Sequence, residues 1–97
     1  MQYCVYILYS ERLSRFYIGM TENLDKRLLH HNNPIDPIKF TGRGGPWELF
    51  LSIQCGSKNQ ALKLERLIKS KKSKTFINNL KKYPELVQKI LSDTSDY

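Results

Sequence analysis

The spacing of apolar and polar positions changes several times along the 97-residue chain, and each change marks an element. Residues 3–9 (Tyr-Cys-Val-Tyr-Ile-Leu-Tyr) form an unbroken aromatic and aliphatic run, as expected of a strand buried on both faces. Residues 10–15 are polar and turn-like, and residues 15–20 read as a second short strand, so the pair is expected to be a β-hairpin. Thr21 or Asn23 then caps a helix, with Glu22 and Asp25 well placed in its first turn. That helix runs to about His31, where Asn32-Asn33-Pro34 stops it. Residues 47–54 (Trp-Glu-Leu-Phe-Leu-Ser-Ile-Gln) alternate well enough for a third strand. Ser57 with Gln60 fits a capping box, and a helix follows to roughly Ser70. Residues 71–82 read as a short basic helix or turn. Pro84 opens a last helix whose apolar face carries Leu86, Val87, Ile90 and Leu91. The expected fold is one α/β domain over residues 1–97, in the order β-β-α-β-α-α, with its core in about 2–91 and a frayed polar tail over 92–97.

Residues 32–46 hold three of the four prolines and three of the five glycines, which makes this segment a long loop. A loop of that length inside a small domain points to function. Its stretch Lys39-Phe40-Thr41-Gly42-Arg43-Gly44-Gly45-Pro46-Trp47 mixes glycines with cations and can bring backbone N–H groups and charge onto phosphates. The order GxxxxGK[ST] is missing, so it is not a P-loop.

Charge narrows the class of partner. The chain carries +7, unevenly distributed. Residues 1–57 are net +1 and residues 83–97 net −2, whereas residues 58–82 place nine basic side chains against Glu65 alone, net +8. A polyanion, most often nucleic acid, is the expected partner. No apolar run approaches the ~20 residues of a bilayer span, and the basic stretch lacks the bulky apolar residues of a membrane-surface helix. The N-terminus does not read as a signal peptide. Cys4 and Cys55 are too few for a disulfide framework, and no Cys/His spacing suits zinc; both are expected to be buried, reduced thiols in a cytoplasmic protein.

Two groupings carry chemistry. The hairpin supplies Tyr6 and Tyr17, and the helix after it sets Arg27 and His31 at i and i+4 on one face, beside Leu24 and Leu28. Strand tyrosines are commonly packing residues, and an exposed arginine is commonly a solvated charge. Their convergence on adjacent elements gives the four a second reading as a site. Glu65 borders the apolar stripe of Ala61, Leu64 and Ile68. It suits either an i,i+4 pair with Lys69 or a hard oxygen ligand for Mg²⁺ within a basic field.

Together these residues resemble the GIY-YIG nuclease superfamily. The resemblance rests on Val5-Tyr6, on Tyr17-Ile18-Gly19 followed by Arg27 and His31, and on the glutamate helix Ala61-Leu62-Lys63-Leu64-Glu65-Arg66-Leu67-Ile68-Lys69. The stretch Thr41-Gly42-Arg43-Gly44-Gly45-Pro46-Trp47 is similar to the small single-domain bacterial members, and the whole resemblance covers about residues 2–75. It implies a central three-stranded sheet flanked by helices and a divalent-metal-dependent DNA endonuclease, with a role in repair or recombination. By the same resemblance, Tyr6 and Tyr17 lie in the active site and one of them helps activate water. Arg27 stabilises the scissile phosphate, His31 serves in proton transfer, and Glu65 holds one Mg²⁺ or Mn²⁺. Such a set is chemically coherent: cations offset charge on the phosphoryl oxygens while a side chain deprotonates water. Lys39, Arg43, Lys63, Arg66, Lys69, Lys71, Lys72 and Lys74 are the expected nucleic-acid contacts. The chain departs from the family pattern in three ways: Cys4-Val5-Tyr6 replaces Gly-Ile-Tyr, Met20 follows Gly19 where some members have lysine, and no asparagine after Glu65 matches the one seen in some members. The alternative is a non-catalytic nucleic-acid-binding module on the same fold. A protein partner could supply substrate choice, because so small a domain has little area for it.

Overall fold

A computed structural model describes residues 2–32 and 46–96. Strands β1 (Tyr3–Ser10), β2 (Arg15–Thr21) and β3 (Glu48–Cys55) form an antiparallel sheet in the order β2-β1-β3. The described helices are α1 (Leu24–Asn32), α2 (Lys58–Lys71), α3 (Lys74–Lys82) and α4 (Pro84–Asp93). The most apolar strand is the central one, because only that position covers both of its faces. Val5, Ile7 and Leu8 are fully buried there.

Alternation along β1 divides the core in two. Val5 and Ile7 face α2, α3 and α4, in a cluster with Ile53, Ala61, Leu64, Ile68, Ile77, Leu80 and Ile90. Tyr6 and Leu8 point to the other face, where they pack with Trp47, Leu13, Tyr17, Leu24 and Leu28. A register shift between Ile7 and Leu8 in the β1–β3 pairing lets Phe50 and Leu51 both pack against the first cluster.

Local capping follows the side chains. Asn23 Oδ1 accepts from Lys26 N at 3.1 Å and begins α1. Ser57 Oγ accepts from Gln60 N at 3.1 Å, while the Gln60 side chain reaches back to Gly56 N and across to the Leu91 carbonyl. Among the described residues the order is β-β-α-β-α-α-α, one helix more than expected, because residues 74–82 form a true helix. Ser73 caps it by accepting from Phe76 N, and the helix buries Ile77 and Leu80, so its lysines line the outside of an amphipathic element. Lys72 takes a left-handed conformation (φ 47°) to close α2 before that cap. The polar tail, expected to fray, is anchored through residue 96. Thr94 is buried and donates to the Ile90 carbonyl, and Asp96 accepts from Ser57 Oγ and pairs with Lys63 at 3.7 Å.

Candidate active site

Tyr6 sits directly across from Gly19 in the β1–β2 register. A methyl group at position 19 would stand 2.6 Å from Tyr6 Oη and 2.7 Å from Cζ. Gly19 therefore matters for what it lacks: its bare backbone is the floor over which the Tyr6 ring lies. The ring is only 1% exposed, and its hydroxyl meets His31 Nε2 at 2.9 Å.

His31 is 4% exposed and lies near the end of α1, well removed in sequence from the strand tyrosines but beside both in space. The Tyr17 ring centroid is 4.8 Å from that of His31 and 6.3 Å from that of Tyr6. Trp47, 2% exposed, meets Tyr17 edge-on at 6.2 Å. Two hydrogen bonds hold Trp47 there. Its N–H donates to Asn32 Oδ1, and Asn32 Nδ2 donates to its carbonyl at 2.9 Å. The side chain at the end of α1 thus fastens the backbone that leads into β3.

Burial raises Tyr6 well above the ordinary phenol range, and the neighbouring Tyr17 adds to the effect. Arg27 opposes the rise and Glu65 reinforces it, so charges from both α1 and α2 are felt at this one hydroxyl. Arg27 is exposed on α1 and shares a groove of about 640 Å³ with Tyr3, Met20, Thr21, Asn23 and Lys26. The side chain of Glu65 is 20% exposed, and its Oε1 accepts from Lys69 Nζ at 2.8 Å.

The structure thus brings Tyr6, Tyr17 and His31 into contact and sets Arg27 and Glu65 within electrostatic reach of the Tyr6 hydroxyl. The expected nucleic-acid contacts are less uniform. Lys39 and Arg43 lie outside the described residues. Lys63 is paired with Asp96 and Lys69 with Glu65. Lys71 lies over the Phe76 ring at 5.6 Å, Lys74 donates to the Ser14 carbonyl, and Arg66 and Lys72 are exposed.

Residues 2–82 match the family model described as the GIY-YIG catalytic domain, a span that includes both strand tyrosines, α1 and the whole of α2. The chain belongs to the GIY-YIG family. The comparison with curated proteins found no match, and neither did the comparison with solved structures. GIY-YIG is a nuclease family, so the aromatic cluster and the two flanking charges belong to a nuclease-type domain with a DNA substrate class.

Two features of this GIY-YIG domain escape a reading of the sequence. An asparagine at a helix end reads as a stop signal, and nothing local says that its amide clamps a residue 15 positions on. Trp47 reads as the first residue of a strand. Its size and its place between the segment rich in glycine and proline and β3 were the available hints of a site wall.

Proposed function

We propose that this GIY-YIG domain is a divalent-metal-dependent DNA endonuclease that hydrolyses phosphodiester bonds, selecting DNA structure in repair or recombination. The observation that carries it is the buried contact between Tyr6 Oη and His31 Nε2, with the fields of Arg27 and Glu65 converging on the same hydroxyl. A phenol is neutral at neutral pH and burial moves Tyr6 further from ionisation, which suits a relay better than a standing phenolate. In this reading the attacking water gives a proton to Tyr6 Oη while the Tyr6 proton passes to His31 Nε2. The water oxygen bonds to phosphorus, one P–O ester bond breaks, and the leaving oxygen takes a proton from solvent. Arg27 offsets charge on the non-bridging oxygens. Tyr17, set between His31 and Trp47, holds the imidazole plane and carries a second hydroxyl into the cluster.

The donor set fits the metal that the family implies. Glu65 is a partly buried carboxylate, and among the described residues no group of three or more His, Cys, Asp or Glu could form a cage. Such a ligand suits a hard ion that keeps water and phosphate oxygens as its remaining partners, and does not suit tetrahedral zinc. When bound there, Mg²⁺ or Mn²⁺ would neutralise charge on the phosphoryl oxygens.

The test is cleavage of branched, flapped and plain duplex DNA with Mg²⁺ or Mn²⁺, by the wild type and by Glu65→Ala. Metal-dependent cleavage by the wild type alone is expected. Equal cleavage by both proteins would overturn the assignment of Glu65. The ammonium of Lys69 against Glu65 favours one second reading, a binding module whose carboxylate is already neutralised. Salt-sensitive DNA binding with no metal-dependent cleavage on any substrate would establish it.

A further inference from the structure

The most basic segment of the chain is not spent on the face that carries Tyr6. Its second half, α3, lies on the opposite face of the sheet, where Tyr9, Phe16 and Phe50 come together. The centroids of Tyr9 and Phe16 are 5.0 Å apart, and Phe16 meets Phe50 edge-on at 4.9 Å. With Lys74 and Asn78 these three rings line a pocket of about 260 Å³. Lys81 stands over the Phe50 ring at 4.6 Å. All three rings are half-buried, while Lys74, Asn78 and Lys81 are exposed.

We propose that this pocket holds an unstacked base of a single-stranded nucleic-acid segment, on a surface separate from the candidate active site. The chemistry is that of a stacking platform inside a cationic frame: π-faces take a base of any identity, and ammonium groups take the phosphates on either side. Lys74 donates one proton to the Ser14 carbonyl at 2.8 Å, and an ammonium has three. Among the described residues neither Lys74 nor Lys81 is in an ion pair with a carboxylate, whereas Lys63 and Lys69 are. The Asn78 amide adds a donor and an acceptor at the rim, suited to the edge of a base. A base inside a duplex is stacked on its neighbours and cannot offer its face, so the occupant is single-stranded. The inference stands whether or not the other face cleaves.

The full chain with EDTA is titrated with short oligothymidylate and, separately, with duplex DNA, following aromatic NMR signals and affinity. Shifts should centre on Tyr9, Phe16 and Phe50. Phe50→Leu keeps apolar volume and removes a ring, and it should weaken oligothymidylate binding about 5- to 150-fold while sparing duplex binding. Lys74→Ala with Lys81→Ala, two exposed positions that do not endanger folding, should lower the log K against log salt slope for single strands by about 1.4. Shifts confined to the Tyr6 and Tyr17 side would overturn the proposal. So would unchanged oligothymidylate affinity in Phe50→Leu, or competition by polyglutamate equal to that by the oligonucleotide, which would mark an acidic-peptide surface instead.

Discussion

Replacing Gly19 with alanine tests the geometry on which the Tyr6–His31 contact depends. The new methyl would stand 2.6 Å from Tyr6 Oη and 2.7 Å from Cζ, closer than real contacts allow. The ring cannot swing aside cheaply, because it is 1% exposed and its hydroxyl is bonded to His31. Overpacking of this kind costs about 1–3 kcal/mol, and loss of the hydrogen bond adds about 0.5–1.5 kcal/mol. An alanine in a strand recovers about 0.5–1 kcal/mol of backbone entropy. The net expectation is a destabilisation of about 0.5–4 kcal/mol, read by urea unfolding, with a Tm lower by about 4–8 °C per kcal/mol. The side-chain resonances of His31 should shift with it. The control is Tyr6→Leu, which removes the obstructing ring: in that background Gly19→Ala should be neutral or slightly stabilising. If Gly19→Ala alone changes stability by less than about 0.5 kcal/mol and leaves His31 unmoved, the close approach of Tyr6 to β2 is refuted.

Asn32→Ala removes both hydrogen bonds to the Trp47 backbone; we expect about 1–3 kcal/mol of destabilisation and a red shift of Trp47 fluorescence as the ring gains solvent. Ser73→Ala should cost about 0.5–2 kcal/mol by uncapping α3, whereas the polar character of residues 71–74 alone would predict no effect; urea unfolding decides. Burial raises Tyr6, Cys4 and Cys55 above their ordinary values, so their contribution to stability is fully present below those values and is lost as pH climbs through the folded-state values. Stability should therefore fall as pH rises past the thiol value of 9.0 and the phenol value of 10.0. The thiols should react with Ellman's reagent at the rate of unfolding and no faster.

Much of the placement of the candidate site's residues is legible in the sequence. The tyrosines at 6 and 17 lie on adjacent strands because their runs are aromatic and β-branched. Arg27 and His31 share a helix because Asn23 caps it and they stand one turn apart within it. Glu65 borders an apolar stripe by simple helical spacing. Each of these rests on near-neighbour chemistry, where period and capping decide the outcome. The extra helix α3 was obscured by its charge: seven of the twelve residues in 71–82 are polar or basic on the outward face, and the two that matter most, Ile77 and Leu80, count only once a core exists to receive them.

What the sequence by itself determined, then, is the central strand, the order of most elements, the family and the five residues nominated for the site. Only the tertiary structure decided how those residues meet. The contact of Tyr6 with His31 spans 25 positions, and that of Asn32 with Trp47 spans 15. Neither is encoded by local periodicity; both arise because the sheet face and α1 are closed against one another. The same closure sorted the lysines. Linear charge summed residues 58–82 into one basic stretch, but helix phase and the turn at Lys72 send Lys69 to Glu65 and Lys74 and Lys81 to the aromatic rings across the sheet. Net charge is a property of composition, whereas the direction in which each charge points is a property of packing.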